Sequence, residues 1–332
     1  MLYGRTAILA GSVFLCLLAL EGWLRFTHRG IRTYLPPGAY QSHPTCRYTL
    51  KPNFTGRSLG VPFQFNAKGF RDLERSYEKG VGVFRILCIG DSVTFGPGLP
   101  FEKTYPQMLE RRLNQRFPDR QIEVLNMSVP SYGTVYEARL LEEEGVRYHP
   151  DLVMFVYVYN DSGYSLPLTP AKIKWINAIK DFFRHLAMYE FLVEKTYVLR
   201  HMAEGLASGD PRDRRNEITY VFSEDYIGWQ ENKEAFGRIR ELADRYRFSL
   251  VYLIYPKLES LEAYPFEFYH HQVGKALKEE PYVLDLLEFF RGKKASDLWV
   301  TSFDSHPNEE ANVILCDAVE QFLLSRHLLN DR

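Results

Sequence analysis

The stretch ILCIGDSVTFGPG, residues 86–98, sets an acid and a hydroxyl, Asp91 and Ser92, between an apolar run and a glycine-rich turn. Loops of this composition either cradle phosphate or carry a nucleophile. A phosphate cradle needs glycines that open a ring of backbone N–H groups and a lysine close behind to meet the charge. Here the next lysine is Lys103. The dinucleotide fingerprint also fails, because Phe101 stands where a third glycine should follow Gly96 and Gly98. The strained Gly-x-Ser-x-Gly elbow is missing too, since Thr94 takes the place of its second glycine. What remains is a serine at the C-terminal tip of a buried strand, the end of an open α/β sheet at which ligands bind.

Polar residues gather at three further places: Asn126 to Gly133 in NMSVPSYG, Asn160-Asp161, and DSHPN, which sets Asp304 and His306 ahead of the last helix. Taken singly, each has an ordinary structural reading. A Gly-Asp-Ser turn after a strand can be only a turn, Asp304 can cap a helix beside a surface imidazole, and Asn160-Asp161 can simply end a strand. His270 and His271 are adjacent and so do not share a helix face, and no metal site is expected there. The Asn-x-Ser/Thr triplets at Asn53, Asn126 and Asn160 read as chance.

The elements that must hold these residues alternate from Phe84 onward. FRILCIG, IEVLNMSV, DLVMFVYVY, SLVYLIYP and YVLDLL read as strands. TYPQMLERRLNQRF, VYEARLLEEEGVRY, WQENKEAFGRIRELADRYR and a last helix from Asn308 to about Leu324 carry helical spacing. Near-continuous apolar strands between helices predict a parallel sheet covered on both faces, a three-layer α/β/α fold. The rhythm breaks over about 162–225, where Trp175, Ile176, Ile179, Phe182, Phe183 and Leu186 share one helical face, an inserted helical element. It packs on the domain's own core, lids the site or lies on a membrane surface. Residues 29–82, with pieces such as PFQFNAKGFRD, predict a lead-in of short strands and turns, and 83–328 the main domain.

The 332 residues can bury one substantial core with length left for appendages. Forty-one basic against forty-two acidic residues leave a formal charge of −1, which excludes a general electrostatic footprint for nucleic acid. Cys16, Cys46, Cys88 and Cys316 lie far apart and show neither zinc spacing nor a disulfide framework. Aromatic residues, 15% of the chain, suit a deep core or a surface that stacks on sugars. Residues 1–28 predict an N-terminal anchor: 7–24 are apolar except for Glu21, about the minimum length for spanning a bilayer. Glu21 precedes Arg25 by four residues, the favourable order for a helical ion pair. A cleaved signal peptide is the rival, yet small residues at cleavage spacing are missing around LALEGWL. Arg25, Arg29 and Arg32 follow the run, and the positive-inside rule alone would hold that side in the cytoplasm.

The ordered set GDS, NMSVPSYG, Asn160-Asp161 and DSHPN resembles the SGNH hydrolases, the GDSL esterases and lipases, over about Phe84 to Leu324. The resemblance implies a serine esterase without a cofactor: Ser92 as nucleophile, His306 as general base and Asp304 as its orienting acid. It implies an oxyanion hole from the Ser92 N–H, the Ser131 N–H or that of Gly133, and the Asn160 amide, with Asp91 and Asp161 in support. These roles agree with the chemistry, since a serine hydroxyl needs a base, the base an oriented tautomer, and the oxyanion fixed donors. The chain departs from the family at Ser131 and Val158, where glycine is usual, and in the single residue between Asp304 and His306. That short spacing, FNAKGFRD and the apolar N-terminus look like membrane-anchored bacterial members that act on envelope polysaccharide. They imply an exported catalytic domain that removes O-acetyl or other short acyl groups from carbohydrate. Hydrolysis of lipid or thioester, acyl transfer to a sugar, and a non-catalytic glycan-binding scaffold are the alternatives.

Overall fold

A computed structural model describes residues 2–27, 35–36, 38–162, 218–302 and 304–330, together with scattered positions between 186 and 199. The helical element expected over about 162–225, with Trp175 and its neighbours, lies largely outside the described residues.

Five strands form one parallel sheet: β5 (Val83–Gly90), β6 (Gln121–Asn126), β7 (Leu152–Tyr157), β8 (Ser249–Ile254) and β9 (Val283–Asp285), in the order β6-β5-β7-β8-β9. Every residue of β5, β7 and β8 is buried, as a sheet covered on both faces requires. The chain leaves β5 for β6 on one side and returns past it to β7 on the other. Right-handed crossovers then put α3 (Tyr105–Arg116) and α4 (Thr134–Glu143) on opposite faces. Accordingly α5 (Ile227–Tyr246) packs on α4, while α8 (Glu309–Ser325) packs on α3. α6 (Glu267–Ala276) leads to β9, and the one-turn α7 (Leu287–Phe290) follows it. The strand order reverses between β5 and its two neighbours, so the crevice for a ligand opens at the C-terminal ends of β5 and β7.

Ahead of the sheet stand two hairpins, β1 (Tyr40–His43) with β2 (Arg47–Leu50), and β3 (Thr55–Ser58) with β4 (Val61–Gln64). Leu59 and Gly60, both at positive φ, make the tight turn of the second, the conformation that matches strand twist. FNAKGFRD then folds about Asn66. Its side-chain oxygen accepts from the Lys68 and Phe70 amides at 3.0 and 2.9 Å, and its amide donates to the Leu73 carbonyl at 3.0 Å. A third hairpin, β10 (Trp299–Thr301) with β11 (Asp304–Pro307), precedes α8.

The first helix, α1 (Leu2–Thr27), runs for 26 residues and contains the expected Glu21–Arg25 pair at 2.8 Å. Among the described residues no helix is long and apolar enough to cross a membrane, so the expected anchor is not shown. The apolar run of the sequence starts at Ala7, ahead of the described side chains of this helix, which begin at Gly11.

Candidate active site

Ser92 opens the one-turn helix α2 (Ser92–Phe95) at the tip of β5. Asp91, 1% exposed, caps that turn by accepting the Val93 N–H at 2.9 Å on Oδ1. Its Oδ2 accepts the Ser92 hydroxyl at 3.0 Å and the Asn160 amide at 3.4 Å. Asn160 follows β7, so the two strand tips that flank the crevice share one carboxylate oxygen. Asp91 thus ties the first and third polar blocks together.

Asp304 and His306 reach the site from β11, which packs against α2. Residues i and i+2 of a strand point to the same side. The single intervening residue thus puts both side chains on one face, and His306 Nδ1 meets Asp304 Oδ1 at 2.5 Å. The same oxygen accepts the His306 amide at 3.0 Å, and Asp304 is 2% exposed. Asp304 is not the cap of the last helix; Asn308 is, accepting the Ala311 N–H at 3.0 Å. Burial works against the imidazolium of His306, but the hydrogen bond and charge of Asp304, with the charge of Asp91, outweigh it and raise the pKa above 6.5.

The second block crosses from β6 to α4. Its backbone stays beside β5, Met127 N–H donating to the Cys88 carbonyl at 2.9 Å and Val129 N–H to the Gly90 carbonyl at 3.1 Å. Asn126 donates from its amide to the Thr94 carbonyl in α2 at 3.0 Å. Ser131 has φ +64, the left-handed region that glycine favours, at the position where the resemblance leads one to expect glycine. Val158 is not in that region, so its loss of glycine asks for no change of backbone. Gly133 matters for proximity: a Cβ there would lie 2.6 Å from the Asp161 carbonyl oxygen of the third block.

Behind these loops Asp161 and Glu137 are buried together. Asp161 Oδ2 accepts the Val158 N–H at 3.1 Å and lies 3.5 Å from Thr134 Oγ1, which joins its own turn to the start of α4. Burial, reinforced by charge repulsion from Asp91 and between the two carboxyls, raises both pKa values well above the ordinary range.

Several site-supporting residues escape a search for motifs. Arg71, 1% exposed, donates to the carbonyls of Phe95 at 2.9 Å, Gly96 and Leu99, closing the C-terminal end of the turn that carries Ser92. Next to it, Asp72 accepts the Asn126 N–H at 3.3 Å and the Gln107 amide at 3.0 Å. Tyr48, on β2, donates to the Pro130 carbonyl at 3.0 Å and packs edge-on to Tyr132, bracing the turn at Ser131. The signal in the sequence was an Arg-Asp pair and a tyrosine in the lead-in, residue types with no meaning until the lead-in docks. His270 is a satisfied buried histidine, between Asp285 at 2.8 Å and the Tyr264 hydroxyl at 3.0 Å.

The sequence model of the GDSL-like lipase/acylhydrolase family matches residues 88–314. An arylesterase of Vibrio mimicus is 28% identical over 120 residues, 35% of this chain, which spans only 59% of that relative's length. A two-domain esterase active on acetylated mannans, solved with mannopentaose, is 12% identical with TM-score 0.46, over 73% of this chain and 49% of its own. A catalytic mutant of an acetylxylan esterase from Geobacillus stearothermophilus is 15% identical with TM-score 0.46, over 75% of this chain and 97% of its own. The match of the family over two thirds of the sequence, on a parallel sheet that carries the GDS serine at its switch point, establishes that the chain belongs to the GDSL-like lipase/acylhydrolase family of esterases.

Proposed function

We propose that the protein hydrolyses esters through an acyl-enzyme on Ser92, with His306 as general base and Asp304 holding the imidazole tautomer. The observation that carries this reading is the His306–Asp304 pair on β11, packed against the turn that bears Ser92. In the resting arrangement the serine hydroxyl donates to Asp91; a rotation about χ1 redirects it toward the base. His306 then takes its proton as the oxygen attacks the ester carbonyl, and returns it to the leaving alcohol. The amides of Ser92 and Ser131, or Gly133, and the Asn160 side chain stabilise the oxyanion, each donor contributing about 10²- to 10³-fold in rate. Water repeats the sequence to release the acid.

The substrate class we favour is a short acyl ester, above all O-acetyl, on envelope carbohydrate. Tyr48, half-buried, donates to the Pro130 carbonyl next to Ser131, and the pocket of Gly133, Tyr136, Asp161, Ser162, Glu231 and Asn232 is small, which suits a short acyl group. We further propose that α1 holds the enzyme at a membrane with the catalytic domain outside the cytoplasm. Phe14, Leu15, Leu18, Trp23 and Phe26 are exposed on it, a density of apolar side chains that water disfavours. The domain limits, 29–82 for the lead-in and 83–328 for the hydrolase domain, are part of the same proposal.

The test is labelling of the full chain in detergent with a fluorophosphonate, beside Ser92→Ala and His306→Ala. Labelling of the parent and its loss in both variants is the expected result, followed by acetate release from O-acetylated polysaccharide faster than hydrolysis of long-chain esters. A folded parent that does not label would overturn the serine mechanism. A fused C-terminal reporter active only in the cytoplasm would overturn export.

A further inference from the structure

Away from the crevice, at the turn of the first hairpin, three electron-pair donors of different kinds converge. A ring nitrogen of His43, Cys46 Sγ and a Glu143 carboxylate oxygen all lie within 4.8 Å of one another. His43 and Cys46 are two residues of one tight turn, whereas Glu143 comes from the end of α4, 98 residues beyond Thr45. Cys46 is 3% exposed, His43 half-buried and Glu143 open to solvent.

Hydrogen bonds run through the centre of this cluster. The Thr45 hydroxyl sits among the three, 2.8 Å from Glu143 Oε2, 3.2 Å from His43 Nδ1 and 3.8 Å from Cys46 Sγ. A hydroxyl has one proton to give. His43 Nδ1 also accepts the Cys46 amide at 3.2 Å, so it is the unprotonated nitrogen of the ring, and a cation bound there takes the place of that amide on its one lone pair. The Thr45 hydroxyl, shared between the carboxylate and the imidazole, and the Cys46 amide hold these acceptors one at a time, whereas a single cation would engage the imidazole, the carboxylate and the sulfur together.

We propose that His43, Cys46 and Glu143 form a binding site for a thiophilic divalent cation of the zinc class, with a fourth position left to water. Sulfur, imidazole and carboxylate together suit zinc, and the His-x-x-Cys turn has the short spacing of zinc ligand pairs. Around a tetrahedral zinc the donor atoms stand about 3.3–3.8 Å apart, given metal–ligand distances of about 2.0–2.3 Å. Closing the present separations takes rotation of the Glu143 side chain, which is free to move in solvent, and of the Thr45 hydroxyl out of the centre. Arg139 stays outside the ligand set, donating to the Thr45 carbonyl at 2.7 Å.

The consequence is a brace. Tyr48, two residues beyond Cys46, holds the Pro130 carbonyl next to Ser131, and α4 begins at the loop that contains Gly133. A cation joining the hairpin to α4 clamps the lead-in on the oxyanion loop. The site stands apart from Ser92 and does not depend on the ester chemistry.

Cobalt(II) reports a thiolate ligand by its charge-transfer absorption, so the full chain is titrated with cobalt and, separately, with zinc after treatment with chelator. The expected result is one equivalent retained per chain, a thiolate-to-cobalt band, and a higher Tm with metal. The band disappears in Cys46→Ser. Binding weakens by about tenfold or more in His43→Ala and Glu143→Gln, since even residues that only support a ligand cost about 10- to 100-fold. Thr45→Ala, which clears the centre, retains the metal. No band in the parent, or a band that persists in Cys46→Ser, overturns the proposal. Should Cys46→Ser not fold, unchanged affinity in both His43→Ala and Glu143→Gln overturns it equally.

Discussion

Arg71 offers a direct test of how the lead-in supports the nucleophile. Arg71→Met keeps an apolar stem of similar reach and removes the guanidinium, and with it three hydrogen bonds to the buried carbonyls of Phe95, Gly96 and Leu99, of which Gly96 keeps the Leu99 N–H at 3.4 Å. At about 1 to 1.5 kcal/mol for each hydrogen bond lost, the three come to roughly 3–4.5 kcal/mol. A typical domain has only about 5–15 kcal/mol in total, so the variant should fold but unfold at clearly lower urea. The same change frees the C-terminal end of the turn whose first residue is Ser92. Fluorophosphonate labelling of the variant, measured at a temperature where circular dichroism shows it folded, should slow by an order of magnitude or more, since small misplacements of reacting groups cost up to about 10²-fold. Arg71→Lys, which retains the charge but cannot fork to three acceptors, should fall between the two. A destabilisation below about 1 kcal/mol, with labelling at the parent rate, would refute the reasoning, because it would mean that water or another donor replaces the guanidinium at no cost.

Asp304→Asn removes the carboxylate that chiefly raises the His306 pKa and leaves Asp91, so the midpoint of the pH–activity curve should move down while the plateau drops by as much as about 10⁴-fold; an unmoved midpoint would separate Asp304 from the base. Asp72 is pushed by burial, against Arg75, from 3.8 up to about 7. A raised carboxyl keeps a proton in the folded state that the unfolded chain has lost, so its contribution falls as pH rises from about 4 to 7, by about 1.4 kcal/mol per unit. Urea unfolding of Asp72→Asn across that range should therefore show a flatter loss of stability toward neutral pH than the parent; parallel curves would contradict it. Ser131→Gly keeps the oxyanion N–H and suits φ +64, so labelling should match the parent, whereas Ser131→Pro, which fixes φ near −65° and has no N–H, should lose about 10²- to 10³-fold. Equal labelling of the two would remove the Ser131 amide from the oxyanion hole.

Periodicity and composition, which are local, carried the architecture. The apolar runs at 84–90, 151–159 and 249–256 could only be strands buried on both faces, and the structure has them as β5, β7 and β8. Polar residues at their ends pointed to the crevice; the structure sets Asn160 on the Asp91 that precedes Ser92, and β11, with Asp304 and His306, against α2. Tertiary structure decided what depends on docking between distant segments. The Asp304–His306 spacing became intelligible only once the stretch formed a strand instead of a helix cap, because a strand turns residues two apart to one side. Arg71, Asp72 and Tyr48 carry no motif, and their roles arise where the lead-in seats on the strand tips. Glu137 is a surface residue by type and a buried acid by position, since the pairing of α4 with α5 closes over it. Likewise the four cysteines show no ligand spacing among themselves, and Cys46 meets His43 and Glu143 only because the hairpin turn folds against the end of α4. A chain writes its elements in near neighbours; which side chains meet is set by crossover handedness, strand order and the seating of segments far apart in sequence.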